Sequence, residues 1–218
     1  MANQIDTSSM KNNKLVRAIA FAVAFVVVFI LVRVVFNPNK SDDNSASETS
    51  QQSIKPYTSK PDNFTVSFSG TPEIKSQNID VAGTPVNVAT YVDDTENGNQ
   101  SSSVTVAMYS ERKFDFTGDE KQRTTLEDAV NGAAQKSGSE VVSLDNKAKF
   151  LNNNAARTEL LAKKDGKEAK IYSLYFLKKV EKTPENTAGT RMYTITTINR
   201  DKKDFDKLVN SFKLNDTK

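Results

Sequence analysis

The hydrophobic pattern divides the chain into three regimes. From Leu15 to Phe36 apolar residues run almost unbroken, and between Ala18 and Val32 there is no polar side chain. About 22 residues at ~1.5 Å each match the ~30 Å hydrocarbon thickness of a bilayer, whereas a helix in a soluble core would show a polar stripe. The run predicts one transmembrane helix over residues 15–36. Arg17 and Arg33 bracket it, with stems long enough to lie on apolar surface while the guanidinium groups reach the headgroups. A cleaved signal peptide is the competing reading, because Lys11, Lys14 and Arg17 form a basic region ahead of the run. Against it, the stretch Val34 to Pro38 has no small-x-small cleavage pattern, and the run is longer than a typical h-region of ~7–15 residues.

The second regime, residues 37–60, is mostly Ser, Asn, Asp, Gln, Lys and Pro, with Ile54 as its one large aliphatic residue. That is too little apolar surface to offset the entropy of ordering, so a flexible polar stalk is expected, spanning a few tens of Å as a coil of ~24 residues.

The third regime, residues 61–218, has the size of one domain and alternates between two periods. Phe64, Val66 and Phe68 interleave with Thr65 and Ser67, and Ser69 to Pro72 supply a turn. Further strands are predicted over Val86–Val92, Val104–Tyr109, Val141–Leu144, Ala155–Ala162, Lys167–Val180 and Arg191–Asn199. The polar loop Asp93 to Ser103, holding Asn97-Gly98, joins the first pair as a hairpin, and Asp165-Gly166 marks a second, tight one. Between them Leu126, Ala129, Val130, Ala133 and Ala134 recur at helical spacing, with Thr124 and Glu127 as a capping box and Gly138 as the stop. A last helix is expected from Phe205, Leu208, Val209 and Phe212, with Asp201 as N-cap. Ile171 to Leu177 place apolar residues on both faces of one strand, so each face of the sheet needs a cover. Two helices and six or seven strands imply an α+β layer fold around an antiparallel sheet.

The opening Phe64, Thr65, Val66, Ser67, Phe68, Ser69, Gly70, Thr71, Pro72 resembles the Phe-x-Val-x-Phe-Pro-Gly-x-Pro start of the PsbP-like domain family, relatives of the extrinsic PsbP subunit of photosystem II. Leu208, Val209, Asn210, Ser211, Phe212 is similar to the family's closing aromatic-x-x-Ser-Phe, with leucine in place of the aromatic residue. Ser69 departs from the family's proline. The resemblance covers about residues 62–214 and implies an α-β-α sandwich with a central antiparallel sheet. It implies a non-enzymatic assembly or stabilising role, and no functional residue carries over from it.

Charge changes the picture of partners. Residues 1–40 carry five basic side chains against Asp6, which gives +4 and leaves −1 for the rest of a chain whose formal charge is +3. The domain is therefore near neutral, with Lys and Arg interleaved among acids, and no nucleic-acid partner is expected. Lys11, Lys14 and Arg17 ahead of the span, with Arg33, Lys40, Asp42 and Asp43 after it, favour a short cytoplasmic tail over residues 1–14 and an extracytoplasmic domain, on the cell membrane.

Candidate chemistry is sparse. Histidine and cysteine are both absent, which removes serine-histidine triads, thiolate metal sites, disulfides and a lipid-modified cysteine anchor. A Ser/Lys dyad stays formally open, with no pair in a recognisable signature. Asp93, Asp94, Glu96, Asn97 and Gly98 offer oxygen ligands for Ca²⁺, yet these residue types also suit a hairpin tip, and Thr105 stands where an EF-hand would place its bidentate Glu. Asp115, Asp119 and Glu120 are candidates for an acid/base pair on a sugar or for a solvated connection. Lys163, Lys164 and Lys167 around Asp165-Gly166 suit either anionic lipid or wall polymer, or protection of exposed strands, which is the favoured role. No catalytic residue, metal or cofactor is expected. The chain is expected to be a single-pass, non-enzymatic binding or assembly module working with another envelope protein, the alternative being a small envelope hydrolase or ligand sensor of undefined small-molecule ligand.

Overall fold

A computed structural model describes residues 55–81, 83–94, 100–111, 113–164, 166–181 and 188–215. The tail 1–14, the expected spanning run 15–36 and residues 37–54 lie outside the described residues, as do Glu96, Asn97, Gly98 and Asp165. Among the described residues no helix is long and apolar enough to cross a bilayer.

The described chain forms β1 (Lys55–Ser59), β2 (Phe64–Phe68), β3 (Glu73–Val81), β4 (Thr84–Asp94), β5 (Ser101–Ser110), α1 (Asp119–Ser137), β6 (Ser139–Asp145), β7 (Lys149–Phe150), β8 (Asn153–Lys164), β9 (Lys167–Val180), β10 (Gly189–Ile198), α2 (Lys202–Ser211) and β11 (Lys213–Leu214). The large sheet runs β3-β4-β5-β10-β9-β8-β6 with β7 also paired to β8, and β1-β2-β11 make a small second sheet. Every pairing is antiparallel.

Strand alternation builds the two cores. Val88, Ala107, Met192 and Leu177 stand side by side across β4, β5, β10 and β9, and they join the buried stripe Leu126, Ala129, Val130, Ala133 and Ala134 of α1 in one cluster. On the opposite face Ala89, Val106, Tyr193 and Phe176 align and meet Phe64, Val66 and Phe68 of β2 with Phe205, Leu208, Val209 and Phe212. The two-sided burial expected from Ile171 to Leu177 is therefore real. The sandwich differs in its second cover, which is α2 together with a three-stranded sheet instead of a helix alone.

Several local expectations need correction. The stalk, extended to residue 60 on composition, gives way to β1, whose Tyr57 ring lies 5.5 Å from Tyr91 and 6.2 Å from Phe68. One aromatic residue anchors a strand that local polarity disguises. The polar strand β3 was hidden because it is an edge strand whose side chains mostly face solvent. Thr124 and Glu127 form no capping box: α1 starts at Asp119 behind an N-cap Gly118 with no side-chain cap, and the Glu127 carboxylate accepts from Asn146 Nδ2 at 2.9 Å. The polar first turn carries Asp119 and Glu120, which favour the positive end of the helix dipole without revealing the apolar period. Gly138 does close α1, in the left-handed conformation at φ 63°, and Asp201 caps α2 by accepting from the Asp204 N–H at 2.8 Å. Lys164 pairs Lys167, which is the register of a two-residue hairpin turn.

Candidate functional site at the far end of the sheet

The two ends of the large sheet carry different residues. Lys55, where the described chain enters, lies opposite Phe68, and the next residue, Ser69, donates from its N–H (2.8 Å) and its hydroxyl (2.6 Å) to Asp93 Oδ2. Asp93 stands in the row Asp93–Ser102–Thr197–Tyr172–Glu159 at this entry end. At the opposite end Ser110 pairs Gly189, which pairs Val180, and the loop after β5 leads into the N-terminus of α1.

Each residue group singled out from the sequence now has a place. Asp93 is buried, and its contacts with Ser69 pin the turn after β2. A proline at position 69 would lack the N–H that Asp93 accepts from. Asp94 ends β4 opposite Ser101, while Glu96 to Gly98 lie outside the described residues. Among the described residues no group of three or more acidic side chains is placed to hold a metal.

Asp115 and Asp119 are committed to hydrogen bonds. Asp115 accepts from Lys121 Nζ at 2.6 Å and from the Thr117 N–H at 2.8 Å, and the Lys121 bond holds its carboxyl well below the usual carboxylate range. Asp119 accepts from Asn154 Nδ2 at 3.0 Å, and this bond, with Lys149 beside it, lowers its pKa too. A glycosidase acid would need the opposite shift. Glu120 is exposed in the first turn of α1.

A polar network elsewhere is structural. The Tyr91 hydroxyl donates to Asp62 Oδ2 at 2.5 Å and accepts from Ser59 Oγ at 2.7 Å, and Tyr193 OH donates to the Asp62 carbonyl oxygen at 2.8 Å. Burial, then the Asp62 contact, raises the Tyr91 pKa, so the phenol stays neutral and fastens the β1–β2 turn to the large sheet.

A cleft of about 550 Å³ opens at the end away from Lys55. Leu177, Lys179 and Thr190 form its floor on β9 and β10, and Glu111 and the segment Phe114 to Gly118 form one wall. Gln122 and Asn153 close the other side. Phe114 and Phe116 are buried against Tyr109, at 5.1 and 5.5 Å between ring centres, which makes the wall firm. Gln122 Nε2 donates to the Phe116 carbonyl oxygen at 3.0 Å, tying α1 to that wall. Lys179 sits 3.8 Å from Glu111 and 3.5 Å from Glu181, so the rim presents paired charges rather than one sign. Among the described residues the lining offers hydrogen-bonding side chains and paired charges. Of these residues the sequence singled out Asp115 alone. The alternation Phe114, Asp115, Phe116 was the available hint; Asn153, Lys179 and Thr190 meet only through long-range pairing.

A second groove, of about 230 Å³, lies between β6, β8 and α2, floored by Arg157 and Tyr172. Arg157 sits 5.5 Å over the Phe205 ring and 3.2 Å from Asp206, so its guanidinium is already engaged.

No family model matches the sequence, and no curated protein matches it. Among solved structures the chain resembles the solution structure of cyanobacterial PsbP (CyanoP) from Synechocystis sp. PCC 6803, at 14% identity over 80% of this chain and 99% of that one, with a TM-score of 0.45. It also resembles the crystal structure of LpqN, described as involved in cell envelope biogenesis of Mycobacterium tuberculosis, at 11% identity over 78% of this chain and 88% of that one, with a TM-score of 0.37. These are likenesses, and neither assigns the chain to a family or carries a function to it.

Proposed function

We propose that this chain is a single-pass membrane protein that holds a non-enzymatic binding or assembly module outside the membrane, with the cleft end turned toward a partner in the envelope. The observation that carries the reading is the polarity of the domain: the chain enters at Lys55, and the half-polar cleft opens at the other end of the sheet. With residues 15–36 as the anchor and residues 37–54 as the tether, that end faces away from the bilayer. The committed carboxylates Asp115 and Asp119 favour binding over hydrolysis. A photocrosslinking side chain at Thr117 in the full chain, in its native membrane, should give a discrete adduct that the same side chain at Gln77 on edge strand β3 does not. Equal, diffuse labelling from both positions sinks the cleft as the binding surface. Reproducible turnover of an ester, peptide, phosphate or glycoside by the purified protein, lost in Asp115→Asn, sinks the non-enzymatic reading.

A further inference from the structure

We propose that β3 is the strand by which two copies of this chain join, edge to edge about a two-fold axis, so that one antiparallel sheet runs through both. β3 ends the strand order of the large sheet, and no described strand lies on its outer side. The direction of its main-chain groups follows from the hairpin with β4. Val81 pairs Thr84 across a two-residue turn, which the Asp80 carboxylate holds by accepting from the Gly83 N–H at 2.9 Å. A turn of that length makes Val81–Thr84 a mutually bonded pair, so Glu73, Lys75, Gln77, Ile79 and Val81 bond to β4. Ile74, Ser76, Asn78 and Asp80 then turn four N–H and four C=O groups outward. The Asn199 N–H bond to the Lys170 carbonyl oxygen, carried row by row from β10 through β5 and β4, gives the same alternation.

The two edges of the sheet are built differently. β6, at the other end, is broken by a register shift between Val141 and Ser143, the kind of bulge that keeps an edge from accepting a further strand. β3 keeps one register with β4 from Glu73 to Val81, has no proline, and presents the uncharged, exposed centre Ser76, Gln77, Asn78. Ile74 beside that centre is 52% exposed. A regular open edge of this length, about 30 Å at ~3.4 Å per residue, is a template for another strand.

A second copy fits that template. With Ser76 opposite Asn78 and Ile74 opposite Asp80 of the other copy, and the reverse, every outward group is paired and Gln77 meets its own equivalent on the axis. A shift of two residues in either direction leaves outward groups unpaired. The charges fit the same register: Lys75 stands opposite Ile79, Glu73 opposite Val81 and Asp80 opposite Ile74, so no like charges face one another. Glu73 and Lys75 keep their own ion pair at 3.3 Å within each copy. Main-chain pairing along one strand is small beside the ~1,200–2,000 Å² of a standard interface, so the dimer forms and dissociates reversibly.

Because the chain has no cysteine, the register can be trapped. Gln77→Cys leaves every outward main-chain group in place and puts two thiols on the axis, at a Cα separation near ~4.5 Å, inside the ~4.4–6.8 Å range of disulfides. In the full chain in intact cells, oxidation with copper phenanthroline should give a species of twice the chain mass from Gln77→Cys and none from Val142→Cys, an exposed position on the bulged edge. Ser76→Lys with Asn78→Lys, added to Gln77→Cys, opposes like charges twice and should lower that species about tenfold, at roughly threefold per pair. Ser76→Lys with Asn78→Glu opposes unlike charges and should restore it, which also shows that changes at these exposed positions leave the fold intact. Equal yield from Gln77→Cys and Val142→Cys, or no species of doubled mass, overturns the edge pairing. Equal loss in both charge variants overturns the register. A Gln77→Cys adduct of any other mass gives the edge to a different protein and overturns the second copy. The doubled mass is separate from an adduct formed at Thr117 with an envelope partner, so failure here leaves the cleft reading standing.

Discussion

Phe212→Ala probes whether the terminal helix closes the second core. Phe212 is 2% exposed and meets four rings: Phe64 stacked at 5.4 Å, Phe150 at 6.1 Å, and Phe176 and Tyr193 edge-on at 5.7 Å each. A buried phenylalanine removes ~150–250 Å² from water, which at ~25 cal/mol per Å² is a transfer term of roughly 4–6 kcal/mol, reduced by about 1 kcal/mol for the methyl that alanine keeps. Lost ring contacts add to that figure and partial collapse of the cavity subtracts, which leaves an expected cost of about 3–5 kcal/mol. Urea melts of residues 55–218, followed by far-ultraviolet circular dichroism, should show the midpoint falling by about 2 M at a slope near ~2 kcal/mol per M, with the slope unchanged. The exposed neighbour Lys213→Ala should move stability by less than ~0.5 kcal/mol. A Phe212→Ala loss under ~1 kcal/mol would refute the placement of this ring at the centre of the core.

Asp93→Ala should cost about 2–3 kcal/mol by stranding the Ser69 donors, and millimolar Ca²⁺ should leave the wild-type melting temperature unchanged; a Ca²⁺ shift abolished by Asp94→Ala would restore the cation site. Carboxyl titration by NMR should find Asp115 and Asp119 below the ordinary aspartate range, and a midpoint above ~5 for either would reopen acid catalysis. Burial holds Tyr175 and Tyr193 up at about 12 and raises Tyr91 and Tyr109 as well. Because these folded-state values lie above the unfolded value near ~10, their contribution to stability is complete below pH ~10 and is lost as pH rises through the folded values. Absorbance of ionised tyrosine should therefore lag in the folded protein and rise together with alkaline unfolding, whereas a simple titration of all six tyrosines near pH ~10 would contradict their burial.

What the sequence disclosed follows the reach of its signals. Alternation such as Phe64, Val66, Phe68 and the helical spacing of Leu126 to Ala134 are local records of a buried face, and both appear where the pattern puts them. Gly138, Asp201 and Asp165-Gly166 mark boundaries through backbone chemistry that needs no tertiary partner. The misses share a cause. β1 depends on Tyr57 meeting Phe64, Phe68 and Tyr91, β3 on the open edge of β4, and the start of α1 on a polar turn outside the apolar stripe. The cleft was least legible, since Glu111, Asn153, Lys179 and Thr190 come from four separate segments and meet only when the sheet order β5-β10-β9-β8 is assembled. Asp93 was visible as chemistry and misplaced as structure: its residue type suits a loop, but its partner Ser69 lies 24 residues upstream.

The side of the membrane on which the cleft lies is open to direct measurement. A chain without native cysteine allows single-cysteine variants at Thr117 in the cleft wall and at Ser8 in the tail to be treated, in intact cells, with a membrane-impermeant maleimide. Thr117→Cys should label in intact cells and remain with the membrane fraction in high salt, while Ser8→Cys should label only after lysis. Labelling of Ser8→Cys in intact cells with Thr117→Cys protected, or recovery of the labelled domain as a salt-released soluble protein, would contradict the anchored, outward-facing arrangement.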